Sequence, residues 1–400
     1  MVILLIALLV FCFWGYIKDK NILNPQFVFN FVWFITLYLY ELKLSRIQQD
    51  LSDRTILAFW TSVICYNFAI LLFDYIKFPR LNFRKQDKVR SYKKRRHVAK
   101  RIVLWIFVLE MLYSKGIPLI WIIVGNSKTY FDYGVPSLHG AWCGLVVCLG
   151  AYSLFRKTKD KWLYLVLPIL LITRQIMMSI IIEGFVYAFY MKNVKSKFES
   201  LNQKKKINIK FFIISALVIV IIFTVIGNFR SGKDVMDRIF QARDNVNLPS
   251  SIKWFYSYMT FSVSNFNNLV GITQGSENNG TSMLIAILPT VLQRLFRIRE
   301  NYSPYYLISP NYTVSTYLSD IYLDFGIFGI GIFNFFIGVI GYILYKNIRC
   351  KKTARGVLLY AVYIHNILLL FFTNFFLFLP IVIQIFYISH LFSNRRKFFK

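Results

Sequence analysis

The chain has 400 residues, of which 56% are hydrophobic, 18% aromatic and only 16% charged. This composition is too apolar for a soluble domain and predicts a polytopic membrane protein. A formal charge of +30 would indicate nucleic acid as a partner in a soluble protein, but here the basic residues follow membrane topology, so no nucleic acid is expected. The five cysteines lack the spacing of a disulfide framework or a metal site, and no metal or other cofactor is expected.

Apolar runs predict about eleven membrane spans. The first run lacks a basic start and a small-residue cleavage site, which favours a retained span over a removed signal peptide. The run 162–190 has basic segments on both sides, so it is predicted to turn at Thr173-Arg174-Gln175 and return, which leaves Arg174 near the outer surface. The predicted spans are 1–17, 25–42, 55–76, 102–124, 140–155, two within 162–190, 211–228, 326–345, 356–373 and 375–391.

The distribution of charge predicts the sidedness of these spans. Most Lys and Arg residues fall in segments that the arrangement places on one side, and 77–101 is the most basic of them. Basic loops stay in the cytoplasm, so the N-terminus is expected outside and the C-terminus in the cytoplasm. The chain, 1–400, is then a single integral membrane domain with a basic cytoplasmic loop, 77–101, and a large external loop, 229–325, which carries the active-site region. A hairpin that dips into the bilayer within the external loop would raise the count to thirteen spans.

The stretch 311–345 combines polar residues with a Gly-rich span. Thr313, Tyr317, Asp320 and Asp324 are three or four residues apart and are predicted to share one face of a helix. The run that follows carries no charge and is long enough to cross a hydrocarbon layer of ~30 Å. Carboxylates that enter a membrane are costly and usually functional, which makes both aspartates acid/base candidates. Asp324 can equally cap the ninth span.

Arginines outnumber lysines among the polar residues expected outside. A guanidinium binds phosphate through two donors and stays charged near lipid, so this bias predicts a phosphate-bearing ligand at the outer face. Some of these arginines have the alternative role of interfacial anchors. His139, in an external loop, is a further acid/base candidate, and Glu110 and Glu183, within spans, are expected to be buried partners of arginines. The candidate phosphate ligands are Arg174, Arg230, Arg294, Arg297 and Arg299.

Three stretches resemble the bacterial oligosaccharide repeat-unit polymerases of the O-antigen and capsule (Wzy) type. The resemblance extends over nearly the whole chain, including the basic loop and the late external loop. It implies a GT-C-like all-α fold and a location in the bacterial plasma (inner) membrane. The stretches are Asn24-Pro25 with Phe29 and Trp33, the run Tyr133-Gly134-Val135-Pro136-Ser137-Leu138-His139, and Asn311 with Thr313, Tyr322, Asp324-Phe325-Gly326 and Gly329.

The resemblance also implies an activity. Such glycosyltransferases join polyprenyl-diphosphate-linked oligosaccharide units on the outer face of the membrane, by en bloc transfer, for O-antigen of lipopolysaccharide, capsule or exopolysaccharide. The implied partners are that lipid-linked oligosaccharide, membrane lipids, a chain-length regulator and a flippase. The arginines would hold the diphosphate, Asp324, Asp320 or His139 would serve the acceptor hydroxyl, and Asn311 and Tyr312 would contact substrate.

Two other activities remain open at the level of sequence. An O-antigen ligase would use the same donor with a different acceptor. A flippase would show internal repeats and polar residues along most spans, whereas the polar residues here gather in one late region.

Overall fold

The computed structural model describes residues 1–76, 89–154, 159–192, 233–244, 246–298, 306–310 and 312–392. Regular structure in these ranges is helical and includes no β-strand, which confirms the predicted all-α class. The predicted eighth span, 211–228, lies outside the described residues. The helices are α1 (Val2–Asp19), α2 (Pro25–Glu41), α3 (Asp53–Tyr75), α4 (Val89–Ser114), α5 (Pro118–Val124), α6 (Leu138–Ser153), α7 (Asp160–Leu170), α8 (Arg174–Lys192), α9 (Lys233–Phe240), α10 (Ser250–Ile272), α11 (Thr281–Ile287), α12 (Thr290–Leu295), α13 (Leu318–Cys350), α14 (Ala354–Leu368) and α15 (Leu379–Leu391).

Four helical segments are long and apolar enough to cross a bilayer: Val2–Asp19, Asp53–Tyr75, Tyr92–Val124 and Leu318–Cys350. Helices α6, α14 and α15 are apolar but have only 16, 15 and 13 residues. At 1.5 Å per residue these three run about 20–24 Å, less than the hydrocarbon thickness of ~30 Å. The chain is therefore an all-α membrane protein, and the count of eleven spans stays a prediction.

The helices pack in two groups. Helix α3 lies against α13 and α1 lies against α2, while α6 packs against α8 and α15. Helix α14 joins the groups because it contacts both α8 and α13. Glycines allow some of these close approaches: a Cβ on Gly338 of α13 would lie 2.8 Å from the Tyr66 carbonyl oxygen of α3, and one on Gly144 of α6 would lie 2.5 Å from the Pro380 carbonyl oxygen of α15. Small residues serve this purpose in membrane bundles, where backbones must pack closely.

Buried amides link α2 to α3. Asn30 Nδ2 donates to Asn67 Oδ1 at 2.9 Å, and Asn67 Nδ2 donates back to Asn30 Oδ1 at 3.0 Å. Gln26 Nε2 donates to the same Asn67 oxygen at 3.1 Å. All three side chains are buried, so each hydrogen bond replaces one that water would otherwise provide.

Three ion pairs lie at one end of the bundle, which we call the basic end. Asn21 lies there too, where its amide donates to Tyr190 Oη at 2.9 Å and to Tyr345 Oη at 3.1 Å. These contacts bring together the helix ends that the charge pattern predicts to share one side of the membrane. The ion pairs of the basic end are Lys18 with Asp74, Arg349 with Asp19, and Lys100 with Asp160.

The opposite end, which we call the cavity end, is covered by α10. Near its start, Tyr256 Oη donates to the Leu39 carbonyl of α2 at 2.9 Å, and near its end Asn267 Oδ1 accepts from the Ser52 backbone N–H, just before α3, at 2.9 Å. Helix α10 therefore lies across the ends of α2 and α3. Helices α11 and α12 have seven and six residues and are too short to span. The described part of this region thus contains no pair of helices that are both long enough to cross a bilayer, and the alternative of thirteen spans, like the count of eleven, stays a prediction.

The segment 312–316 is not helical, so the predicted shared face of Thr313, Tyr317, Asp320 and Asp324 is wrong. The amide of Asn265, on α10, donates to the backbone carbonyls of Tyr312 and Val314 at 3.0 and 2.7 Å. These tertiary hydrogen bonds occupy backbone carbonyl groups that would otherwise accept hydrogen bonds within a helix. Helix α13 therefore begins only at Leu318.

We predict that the amide pair between α2 and α3 stabilises the fold, and a double-mutant cycle tests this prediction. Asn30→Leu or Asn67→Leu alone strands a buried amide and should lower the free energy of unfolding by about 1–3 kcal/mol. The double variant removes both partners and should cost less than the sum of the two single changes. Thermal unfolding in detergent measures all three; additive losses would contradict the reciprocal pair.

Candidate functional site

A cavity of about 530 Å³ opens where three helices begin. Helix α6 starts at Leu138, α8 at Arg174 and α15 at Leu379, and residues of each first turn line the cavity. The first N–H groups of a helix have no partner within it, and the helix dipole places partial positive charge there. Since α6 and α15 are short, the cavity is sunk into the bundle. Residues of three helix N-termini therefore line one partly open cavity.

The charged side chains that line the cavity also favour an anionic ligand. Its lining includes the side chains of Arg174 and His139 and no Asp or Glu among the described residues. Helix N-termini with a nearby guanidinium form a ready site for a phosphate or other anion. The arrangement thus favours an anionic ligand.

The turn between α7 and α8 positions Arg174. Pro168 lies inside α7, and its carbonyl oxygen accepts from the Thr173 N–H at 2.9 Å as the chain turns. Arg174 is the first residue of α8, which confirms the predicted turn. Its side chain is 8% exposed, and the guanidinium carbon lies 5.7 Å from the centroid of the Trp254 ring on α10. A cation over an aromatic face is stabilised by the ring, which holds the guanidinium beside the cavity.

His139 lies on another wall, oriented by a buried carboxylate. Its Nδ1 is 3.0 Å from Oε2 of Glu110, which is fully buried on α4. The ring stacks on Trp142 and meets Tyr133 edge to face, with centroids 5.7 Å apart in each case. Gly134 has φ +100°, and a Cβ there would lie 2.7 Å from the imidazole. The run 133–139 therefore serves to hold this histidine against Glu110, with Nε2 on the side away from the carboxylate.

Both carboxylates within spans pair with histidine, so the prediction that they are partners of arginines is wrong. Glu110 contacts His139, and Glu183 Oε1 lies 3.6 Å from Nδ1 of His365. Gln384 Nε2 donates to the other Glu183 oxygen. The physical reason is packing: α8 lies against α14, and α14 contacts α15, so His365 and Gln384 lie beside Glu183.

A second cavity, of about 260 Å³, adjoins the first. The two share Thr313 and Val314, the extended segment that Asn265 holds. Asp320 lines the second cavity, together with hydroxyl and amide side chains including Ser319 and Thr316. Such a lining suits a neutral, hydroxyl-rich ligand.

Asp324 lies outside both cavities. It is 1% exposed, and its two carboxylate oxygens accept from the backbone N–H groups of Ser282 and Met283 at 3.0 and 2.8 Å. These N–H groups belong to the first turn of α11, so Asp324 caps that helix across space, not the ninth span as the sequence predicted. Helix α13 breaks two residues later, at Gly326, with φ +61° and ψ −154°. The geometry gives Asp324 a structural role and no access to substrate.

The remaining predicted residues divide between the cavity and the surface. Tyr312 lines the first cavity, but its hydroxyl donates to the Tyr258 carbonyl at 3.2 Å and its ring packs against Phe261. Arg294 and Arg297 are exposed and line neither cavity. The predicted site residues that lie outside the described ranges are Arg230, Arg299 and Asn311.

Four polar cavity residues escaped the sequence analysis. All lie in apolar helices, and the signal that could have found them is a polar side chain inside a predicted span. Two of them, Gln175 and Ser179, are four residues apart on α8, below Arg174. The four are Cys143, Gln175, Ser179 and Gln384.

Comparison of the chain with protein-family models, with curated proteins and with solved structures finds no match. What the protein does must therefore be argued from the cavity itself: its shape, its hydrogen bonds and its charges.

We predict that Asp324 acts as a cap and not as a base. Asp324→Ala strands the first N–H groups of α11 and should lower the free energy of unfolding by about 0.5–2 kcal/mol. Asp324→Asn keeps one acceptor oxygen, so it should lose less stability than Asp324→Ala. Thermal unfolding of the two variants measures the effect. Wild-type unfolding of Asp324→Ala would contradict the capping role.

Proposed function

We propose that this protein is a glycosyltransferase that polymerises polyprenyl-diphosphate-linked oligosaccharide repeat units at the outer face of a bacterial plasma membrane. The observation that carries the proposal is the cavity: three helix N-termini and Arg174 converge on it, no described acidic side chain lines it, and a carboxylate-oriented histidine lies in its wall. Glycosyl transfer from a lipid-linked diphosphate requires an anion-binding site and an acid/base group, and it needs no nucleotide. The cavity offers both.

The diphosphate belongs at Arg174 and the beginning of α8. As the bond to the sugar breaks, negative charge builds on the departing diphosphate, and preorganised donors and dipoles stabilise it most where water is excluded. Arg174 supports this role better than the exposed Arg294 and Arg297 do, since it alone of the three lines the cavity.

His139 would act on the acceptor. Glu110 contacts Nδ1, so Nε2, which lies 3.5 Å from Sγ of Cys143 in the cavity wall, is the nitrogen that would take the proton of an acceptor hydroxyl as it attacks the anomeric carbon. The second cavity, with its hydroxyl-rich lining and Asp320, offers adjacent space for sugar residues. Tyr258, half-buried in the wall of the first cavity, supplies an aromatic face against which a sugar ring can pack.

The distribution of charge supports an outward-facing cavity. The basic end carries the helix ends next to the Lys- and Arg-rich segments, which the positive-inside rule assigns to the cytoplasm. The cavity end then faces outward, where lipid-linked saccharides arrive after flipping. Eleven spans, with the N-terminus outside, fit this sidedness.

We expect cysteine labelling to verify the sidedness. Cys350 is exposed and follows Arg349 at the basic end, whereas Asp244 is exposed near the cavity end and pairs with Arg46. A membrane-impermeant maleimide should label Asp244→Cys, in a Cys350→Ser background, on intact spheroplasts. It should label the native Cys350 only after permeabilisation. The reverse labelling pattern would place the cavity on the cytoplasmic side and would contradict the proposed function.

Replacement of Arg174 tests the diphosphate site. Arg174→Lys keeps the charge but loses the two-donor fork, so the affinity for inorganic pyrophosphate should fall about tenfold, or 1.4 kcal/mol. The surface glycan should shorten to single repeat units. Arg46→Lys, an exposed change at the same end, is the matched control and should alter neither quantity. Unchanged pyrophosphate binding in Arg174→Lys would exclude this assignment.

The lipid-linked saccharides that accumulate in a strain without this protein distinguish a polymerase from a ligase and from a flippase. A missing polymerase leaves single lipid-linked units in the membrane. A missing ligase leaves long lipid-linked polymer, and a missing flippase leaves single units confined to the cytoplasmic leaflet.

A further inference from the structure

A second histidine array lies beneath the cavity. Ser179 Oγ, on α8, is 3.0 Å from Nε2 of His365, on α14. On the far side of the imidazole, Nδ1 lies 3.6 Å from Oε1 of Glu183, one helical turn below Ser179 on α8. Gln384, on α15, donates its amide to the other Glu183 oxygen at 2.5 Å. A hydroxyl, an imidazole and a carboxylate in this order form the arrangement that moves protons in many hydrolases.

The array reaches the cavity through two of its members. Ser179 and Gln384 line the cavity, whereas His365 and Glu183 are both fully buried behind them. The Ser179 hydroxyl can donate either to the Gln175 carbonyl, at 2.9 Å, or to His365. That hydroxyl therefore connects the cavity with the imidazole of His365, while the amide of Gln384 connects it with the Glu183 carboxylate.

The burial of the pair is costly. His365 Nδ1 and Glu183 Oε1 face each other beyond hydrogen-bond distance, and neither atom has another hydrogen-bond partner among the described residues. A buried polar group without a partner lowers stability, and well-packed apolar residues would stabilise such a site at least as well. A pair of this kind at helix-core depth points to a chemical role, as intramembrane acids and bases generally do.

We propose that Ser179, backed by His365 and Glu183, is the proton donor to the departing diphosphate. The inference rests on the proposed function and adds a second acid–base device to the same cavity. Ser179 lies on α8, the helix that begins with Arg174, so the hydroxyl belongs to the wall that would hold the diphosphate. His139, on α6, belongs to another wall. His139 would thus act on the acceptor hydroxyl, and His365, through Ser179, on the departing diphosphate.

The proton balance of the step is complete. The acceptor oxygen forms a bond to the anomeric carbon while the bond from that carbon to the diphosphate oxygen breaks, and the bonding electrons leave with the diphosphate. The acceptor proton passes to His139. Ser179, which donates to the Gln175 carbonyl in the starting state, gives its proton to the departing phosphate oxygen and regains one from Nε2 of His365, which starts as imidazolium beside Glu183 and ends neutral. Exchange with water in the cavity then returns His139 and His365 to their starting protonation states.

The other groups around His365 are uncharged or phenolic. Helix α8 supplies Glu183, α15 supplies the amide of Gln384, and α6 supplies the thiol of Cys148, which interacts with Glu183. Toward α2 and α13, the neighbours of α14 are phenols, such as Tyr345 against Tyr360. Glu183 is therefore the charged partner that the described structure offers to the imidazole.

The test compares pH–rate profiles of the full-length protein in lipid nanodiscs. The substrate is the pool of lipid-linked saccharides extracted from cells that lack the protein. We expect a bell-shaped dependence of kcat on pH, since one group must be protonated and another deprotonated. Ser179→Ala and His365→Gln should each lower kcat about 10–100-fold, with little change in KM, and should remove the same limb of the bell. His139→Gln should remove the other limb.

Matched controls separate chemistry from packing. Ser153→Ala removes a buried serine that, like Ser179, donates to the carbonyl four residues before it, but Ser153 does not line the cavity. His390→Gln removes an exposed histidine of α15. Both controls should keep the wild-type profile. Glu183→Gln, which keeps a hydrogen-bonding group of the same size, should fold normally and shift the limb that Ser179→Ala removes.

Each outcome decides the inference. Pyrophosphate binding and thermal unfolding confirm that a slow variant is folded. If the wild type elongates the saccharides and Ser179→Ala keeps both limbs and its full rate, the proton-donor assignment is overturned while the proposed function stands. If the wild type elongates nothing, both fall together.

Discussion

The convergence of helix N-termini on one sunken cavity is the constraint on which the rest of this structure depends. Helices α6, α8 and α15 begin together because α6 and α15 are shorter than the membrane is thick and because α7 and α8 form a hairpin. In a membrane interior, partial charges at helix ends are poorly screened and act strongly over short distances. An anion is therefore stabilised there by backbone groups and Arg174 jointly.

Buried polar groups support that cavity on both sides. Glu110 and His139 form one pair and Glu183 and His365 form another, each between helices that hydrophobic contact alone could pack in several registers. The contact of His139 with Glu110 at hydrogen-bond distance favours one register, because another would leave both groups unsatisfied in a medium without water. Stability and site geometry therefore depend on the same side chains.

The sequence predicted well the features that have local causes. A run of apolar residues becomes a helix wherever it lies, which is why α1, α2, α3 and α6 follow the predicted spans within a few residues. The hairpin at Arg174 followed from the basic segments that flank it. Predictions from local patterns were wrong where residues distant in the sequence interact. The amide of Asn265 holds 312–316 in an extended conformation. The first backbone N–H groups of α11 donate to the carboxylate of Asp324.

By itself the sequence determined the all-α membrane class, the clustering of basic helix ends and the turn before Arg174, because hydropathy and charge act residue by residue; the roles of Arg174 and His139 stay predictions. Only the tertiary structure decided which polar groups meet. The pairing of each buried glutamate with a histidine, and the opening of Ser179 onto the cavity, depend on contacts between helices far apart in the chain. No spacing along the sequence encodes such contacts, since they arise from the packing of whole helix faces.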